Sequence, residues 1–118
     1  FEFENAFVAR AESLFTGKPS RKAIQTLEDT TLIAINSNML FKLFDSYSDL
    51  ERLFRKIIEN SYVNTVNRIE SLQFNTAEER YKSILKDTPN VLKRIPLKYI
   101  SSYLGITQVS LSRIRAIK

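Results

Sequence analysis

The sequence predicts an α+β chain: a short strand-bearing N-terminal segment, one long connecting helix, and a C-terminal helix-turn-helix. Three observations predict it. Residues 1–36 hold three short runs with strand-like alternation or β-branched content. The stretch from Asp49 to Gln73 contains no Gly or Pro and repeats apolar residues at steps of three and four. Leu97 to Lys118 carries two helical apolar patterns broken at Gly105.

Phe1-Glu2-Phe3-Glu4 alternates, Lys22-Ala23-Ile24-Gln25-Thr26-Leu27 alternates, and Thr31-Leu32-Ile33-Ala34-Ile35 is apolar and β-branched, so each reads as a strand. Ala6 to Phe15 between the first two suits a short helix, closed by Gly17-Lys18-Pro19-Ser20. Glu28-Asp29 suits a hairpin turn. Three such strands make a poor independent sheet, because edges and one apolar face stay uncovered. Truncation before Phe1 or a covering partner is therefore expected.

Ser37 or Asn38 is placed to cap a helix through Tyr47, with Leu40, Phe41 and Phe44 on one side. Ser48 or Asp49 then opens the longest element. Leu50, Leu53, Phe54, Ile57, Ile58, Tyr62, Val66, Ile69 and Leu72 form its stripe. At ~1.5 Å per residue it extends roughly 37 Å, longer than a small domain needs. This stripe is expected to pack partly on its own chain and partly against the same helix of a second copy, with Leu50, Phe54, Ile57, Ile58, Val66 and Ile69 serving dimerisation. The alternative is a long helix packed only within its own chain. Asn75 or Thr76, followed by Glu78 and Glu79, starts a further helix to Lys86, and Asp87-Thr88-Pro89 ends it. Asn90 to Arg94 suits a brief helical turn. The boundaries are 1–47 for the strand-bearing part, 48–75 for the dimerisation helix and 76–118 for the helix-turn-helix part.

In the last segment Ile100 and Leu104 lie one turn apart, Gly105 allows the positive φ of a tight turn, and Thr107 can cap a second helix. Leu111 and Ile114 point back at the first helix, and Ser101 is small enough for close approach. Gln108, Val109, Ser112, Arg113 and Arg115 are left outward. Any two packed helices joined by Gly show such spacing, so charge has to decide. From Thr88 onward there are six basic residues, Lys93, Arg94, Lys98, Arg113, Arg115 and Lys118, and no Asp or Glu. A surface kept free of carboxylates suits phosphate, and double-stranded DNA is the expected partner. The charge is also uneven along the chain. Phe1–Tyr47 has five basic and six acidic side chains, net −1, whereas Ser48–Lys118 has thirteen and seven, net +6.

The 118 residues contain no Cys and no His, which removes thiolate and imidazole chemistry and argues against a zinc, haem or iron–sulfur site. Ser without a His base is a weak nucleophile, and two glycines make no phosphate loop. The expectation is a non-enzyme with no metal and no cofactor. No apolar run nears a membrane span and no leader is evident, so no membrane partner is expected and the cytoplasm is the default compartment.

Ile-Ser-Ser-Tyr-Leu-Gly-Ile-Thr at residues 100–107, with Leu-Ser-Arg-Ile-Arg at 111–115, resembles the reading head of the Crp/Fnr transcription regulators, relatives of the cyclic-AMP receptor protein, particularly the type common in Bacteroidetes. The resemblance covers nearly the whole chain. It implies that Phe7 to Ala23 ends a cyclic-nucleotide-binding-like β-roll with its phosphate cassette, that Asp49 to Gln73 is the dimerisation helix, and that Pro96 to Lys118 is the head. It further implies an N-terminally truncated chain, with the rest of the roll missing and no wing after the recognition helix. By the same resemblance Gln108, Val109 and Arg113 face base edges, while Lys98, Thr107 and Ser110 lie near phosphate. Partners would be DNA, a second copy of the chain and RNA polymerase.

The cassette departs from the family pattern. Ala9-Arg10 stands where nucleotide-binding relatives have Gly-Glu, which removes the ribose contact, and Arg21-Lys22 keeps charge but lacks the hydroxyl that follows Arg. Arg10, Arg21 and Lys22 remain the effector-binding candidates, and cyclic AMP is not the expected effector. Val109 replaces the Glu often found there and would favour a thymine methyl over cytosine. The competing expectation is a dimeric ligand-binding or protein-interaction module whose helix pair never reads DNA.

Overall fold

A computed structural model describes residues 1–116. Seven helices are found among them: α1 (Ala11–Thr16), α2 (Ser37–Ser46), α3 (Ser48–Phe74), α4 (Ala77–Asp87), α5 (Val91–Arg94), α6 (Leu97–Leu104) and α7 (Gln108–Ala116). The chain forms two compact units, one of Phe1–Ser61 and one that begins at Tyr62. The first part of α3 belongs to one and its remainder to the other.

The expected α+β class is overturned: among the described residues there is no strand, no sheet and hence no β-roll. The reason is pairing. Alternation says which face of a strand would be apolar, but a strand persists only when a neighbour takes its N–H and C=O groups. Phe1 to Glu4 runs into a turn at Glu4 and Asn5, where Asn5 takes a left-handed φ of 61°. Residues 22–27 and 31–35 are exposed non-helical chain, with Ile33 fully open to solvent. At the expected hairpin, the Thr30 hydroxyl donates to the Glu28 carbonyl (2.8 Å), a local bond in place of a turn ladder.

The N-terminal unit is held by aromatic rings. Phe54 is buried against Phe7 (centroids 5.3 Å, nearly perpendicular), Phe15 (6.4 Å) and Phe44 (5.1 Å). The Phe7 and Phe15 pairs are edge-to-face and the Phe44 pair is tilted; edge-to-face pairs add about 0.5–1.5 kcal/mol each beyond area burial. Leu40 on α2 is the other buried side chain of this unit. The α2 cap is Asn36, one residue before Ser37 and two before Asn38, the expected caps; its side-chain oxygen accepts from the Asn38 N–H (2.9 Å). Helix α1 starts later than the expected Ala6 and closes on Gly17, whose φ of 68° lets its N–H reach the Ser13 carbonyl.

The C-terminal unit has the larger buried set: Tyr81 and Ile84 from α4, Val91 from α5, Ile95, Ile100 and Leu104 around α6, and Leu111 from α7. Helix α4 starts with a reciprocal cap. The Thr76 hydroxyl accepts from the Glu79 N–H (3.2 Å) while the Glu79 carboxylate accepts from the Thr76 N–H (2.7 Å). The Thr76 backbone and hydroxyl bonds hold the Glu79 carboxyl below its ordinary value. A depressed folded-state value means the stabilisation is complete above the unfolded glutamate range and is lost as pH falls through and below it. Loss of the N-cap hydrogen bond in Thr76→Ala should cost about 1 kcal/mol, and Glu79→Gln should remove the cap's share of acid sensitivity. Urea titrations at pH 7 and pH 3 check both; an unchanged acid profile in the Gln variant would sink the assignment. No helix among the described residues is long and apolar enough to cross a membrane.

Candidate nucleic-acid interface

Helices α6 and α7 are joined by a turn centred on Gly105 at φ 69°. Only a residue without a Cβ takes this conformation without strain, and an added Cβ would also stand 3.4 Å from Leu72 Cδ2. The Gly105 N–H donates to the Ser102 carbonyl (3.1 Å) and the Ile106 N–H to the Ser101 carbonyl (3.0 Å), closing α6 in a Schellman-type turn. Ile100, Leu104 and Leu111 are buried and Ile114 is half-buried, which turns the opposite side of α7 outward. Ser101 is also buried; its hydroxyl returns to the Lys98 carbonyl (2.9 Å), so the polar atom costs no packing.

Gln108, Val109, Ser112, Arg113 and Arg115 are all exposed along α7, Val109 at 63%. Thr107 precedes the helix, and its hydroxyl accepts from the Ser110 N–H (3.1 Å) and pairs with the Ser110 hydroxyl (3.0 Å). The Thr107 side chain thus caps α7, and the Ser110 hydroxyl is paired to that cap. Lys98 is exposed at the start of α6, its ammonium 4.6 Å over the Tyr99 ring. No carboxylate occurs in the described stretch from Thr88 to Ala116, so nothing on these helices themselves repels a phosphate. Lys118, the last of the six basic residues of that segment, lies outside the described residues.

The structure places the other candidate residues differently from one another. The Ser20 hydroxyl accepts from Arg10 Nε (3.4 Å) and from the Lys22 N–H (3.1 Å), so it draws Arg10 and the Lys22 backbone together. Arg21 and the Lys22 side chain are exposed, and these residues belong to no β-roll cassette. No group of metal-binding side chains occurs among the described residues. On α3, Phe54 is covered by rings of its own chain, Leu50, Ile57, Ile58 and Val66 are half-buried, and Ile69 is 50% exposed. Tyr62, Val66 and Ile69 share one face at steps of four and three.

Two residues were not singled out from the sequence. Arg68 donates through Nη2 to the Tyr103 carbonyl with its guanidinium 3.6 Å over the Tyr103 ring, and Arg80 donates through Nε to the Leu104 carbonyl (3.0 Å). Their partners lie 35 and 24 residues away, beyond any local spacing rule. A lone arginine on a helix face carries no local mark of such a partner. Comparison with protein families, curated proteins and solved structures finds no match to this chain.

Proposed function

We propose that the chain is a DNA-binding transcription regulator of the Crp/Fnr kind that acts in the cytoplasm as a homodimer and regulates transcription by occupying its site, with RNA polymerase as the machinery affected. One observation carries this: α7 leaves a tight Gly turn with its apolar side buried and an outer face of Gln108, Val109, Ser112, Arg113 and Arg115, in a segment free of carboxylates. That face combines the two things DNA reading needs. Arg and Gln offer bidentate donors and acceptors for base edges, and positive charge without opposing carboxylates attracts phosphate. The exposed Tyr62 and Ile69 on α3, with half-buried Val66, support self-association through that helix. The β-roll is not part of the proposal, and no cofactor enters it.

Selection of the full chain against random duplexes, followed by sequencing at near-physiological salt, is the test. The expected result is an inverted repeat with half-sites one helical turn apart, about 10–10.5 base pairs centre to centre. Binding should weaken linearly in log–log form with salt, at a slope near −0.9 per neutralised phosphate. No enrichment together with no salt-dependent binding would overturn the proposal in favour of a helix pair that is structural only.

A further inference from the structure

A helix end exposes four carbonyls without intrahelical donors, and every one that is buried needs a partner. On α6 these are Ser101, Ser102, Tyr103 and Leu104. The turn itself serves two of them, through the Gly105 and Ile106 N–H groups on Ser102 and Ser101. The remaining two are served from outside, Tyr103 by Arg68 of α3 and Leu104 by Arg80 of α4. Arg80 also donates through Nη1 to the Asn75 carbonyl between α3 and α4. Both guanidinium groups thus sit at the negative end of the α6 dipole, where positive charge is favoured.

The same face of α3 also brings Leu72 beside the turn. Arg68 and Leu72 are one turn apart, and Leu72 Cδ2 lies 3.4 Å from where a Cβ on Gly105 would be. Arg68 therefore holds the turn by charge and by stacking on Tyr103, and Leu72 stands where a side chain at position 105 would point.

We propose that Arg68 and Arg80 are positioning residues of the reading head: side-chain caps that fasten the α6–α7 turn to α3 and α4 and so set the direction in which α7 is presented. This rests on the DNA-reading role of α7. It assigns two arginines, which net charge alone would credit to phosphate, to carbonyls of their own chain. Lysine cannot replace either one fully, because the stacked plane and the fork of donors are properties of guanidinium.

The test uses the full chain as wild type, R68A, R68K, R80A and R80K, with two readouts. The first is amide hydrogen exchange at Gly105 and Ile106, with Ile84 and Leu85 inside α4 as reference. A lost charged hydrogen bond should speed exchange at the turn about tenfold in the Ala variants and leave the reference amides unchanged. The second is the ratio of affinity for the selected duplex to affinity for random duplex. It should fall about tenfold in R68A and also in R68K, while the salt slope on random duplex stays the same. Unmoved turn amides in both Ala variants overturn the clamp. So does a slope that drops by about 0.9 per arginine removed and is restored by Lys, which is the signature of a phosphate contact. If wild type selects no duplex, the DNA-reading role falls and the exchange data alone decide the clamp. If R68A fails to fold, R68K decides, since it keeps the charge and the stem.

Discussion

Leu111→Ala should unfold the C-terminal unit or bring it close to unfolding. Leu111 is 1% exposed and is the only buried side chain that α7 contributes among the described residues. Truncating a buried Leu costs about 2–5 kcal/mol through lost transfer energy and the cavity left behind. A unit of roughly 55 residues at 0.05–0.15 kcal/mol per residue has about 3–8 kcal/mol in total. The loss is thus a large fraction of the whole. Urea unfolding followed by far-UV circular dichroism measures it, and Leu111→Met, which keeps volume, should lose less than about 1.5 kcal/mol. A loss within about 0.5 kcal/mol for the Ala variant would mean that α7 does not depend on α6 for its place.

Arg113→Ala should have the opposite profile: normal folding, lost discrimination. The side chain is exposed, so stability should stay within about 0.5 kcal/mol of wild type. A guanidinium that holds guanine O6 and N7 through two bonds is worth about 1–3 kcal/mol, which is roughly five- to over a hundredfold in specific affinity. Random-duplex affinity should change little. Titrations of a selected and a scrambled duplex at several salt concentrations separate the alternatives. If both weaken equally and the slope falls by about 0.9, Arg113 serves phosphate and base reading lies elsewhere on α7.

The helices that were legible share a property: their signals are local. The Asp49 to Gln73 stretch without Gly or Pro became α3, the Thr76–Glu79 pair became a reciprocal cap, and Gly105 took the left-handed φ that its place between two apolar patterns implied. The outward set on α7 follows from a 100° step once Leu111 and Ile114 are turned inward. The strands failed for the converse reason. Alternation in residues 22–27 describes a face, but the neighbouring strand that a ladder needs is not encoded in those residues, and no strand forms there. The stripe is expected to serve both its own chain and a second copy, and of its members Phe54 is the one that Phe7, Phe15 and Phe44 cover within the same chain. A stripe records that a side chain is to be buried and leaves open what buries it.

By itself the sequence determined where α3, α4, α6 and α7 run, which side of α7 stays polar and basic, and that Cys and His chemistry is absent. Only the tertiary structure decided that residues 1–36 hold no strand, that Phe54 is used within its own chain, and that Arg68 and Arg80 close the end of α6. The physical reason is range. Dihedral preference, capping and periodicity act over about four residues and are written in the order of the chain. Strand pairing, aromatic packing and the capping of a distant carbonyl depend on residues tens of positions apart, and come into existence only when the chain has folded.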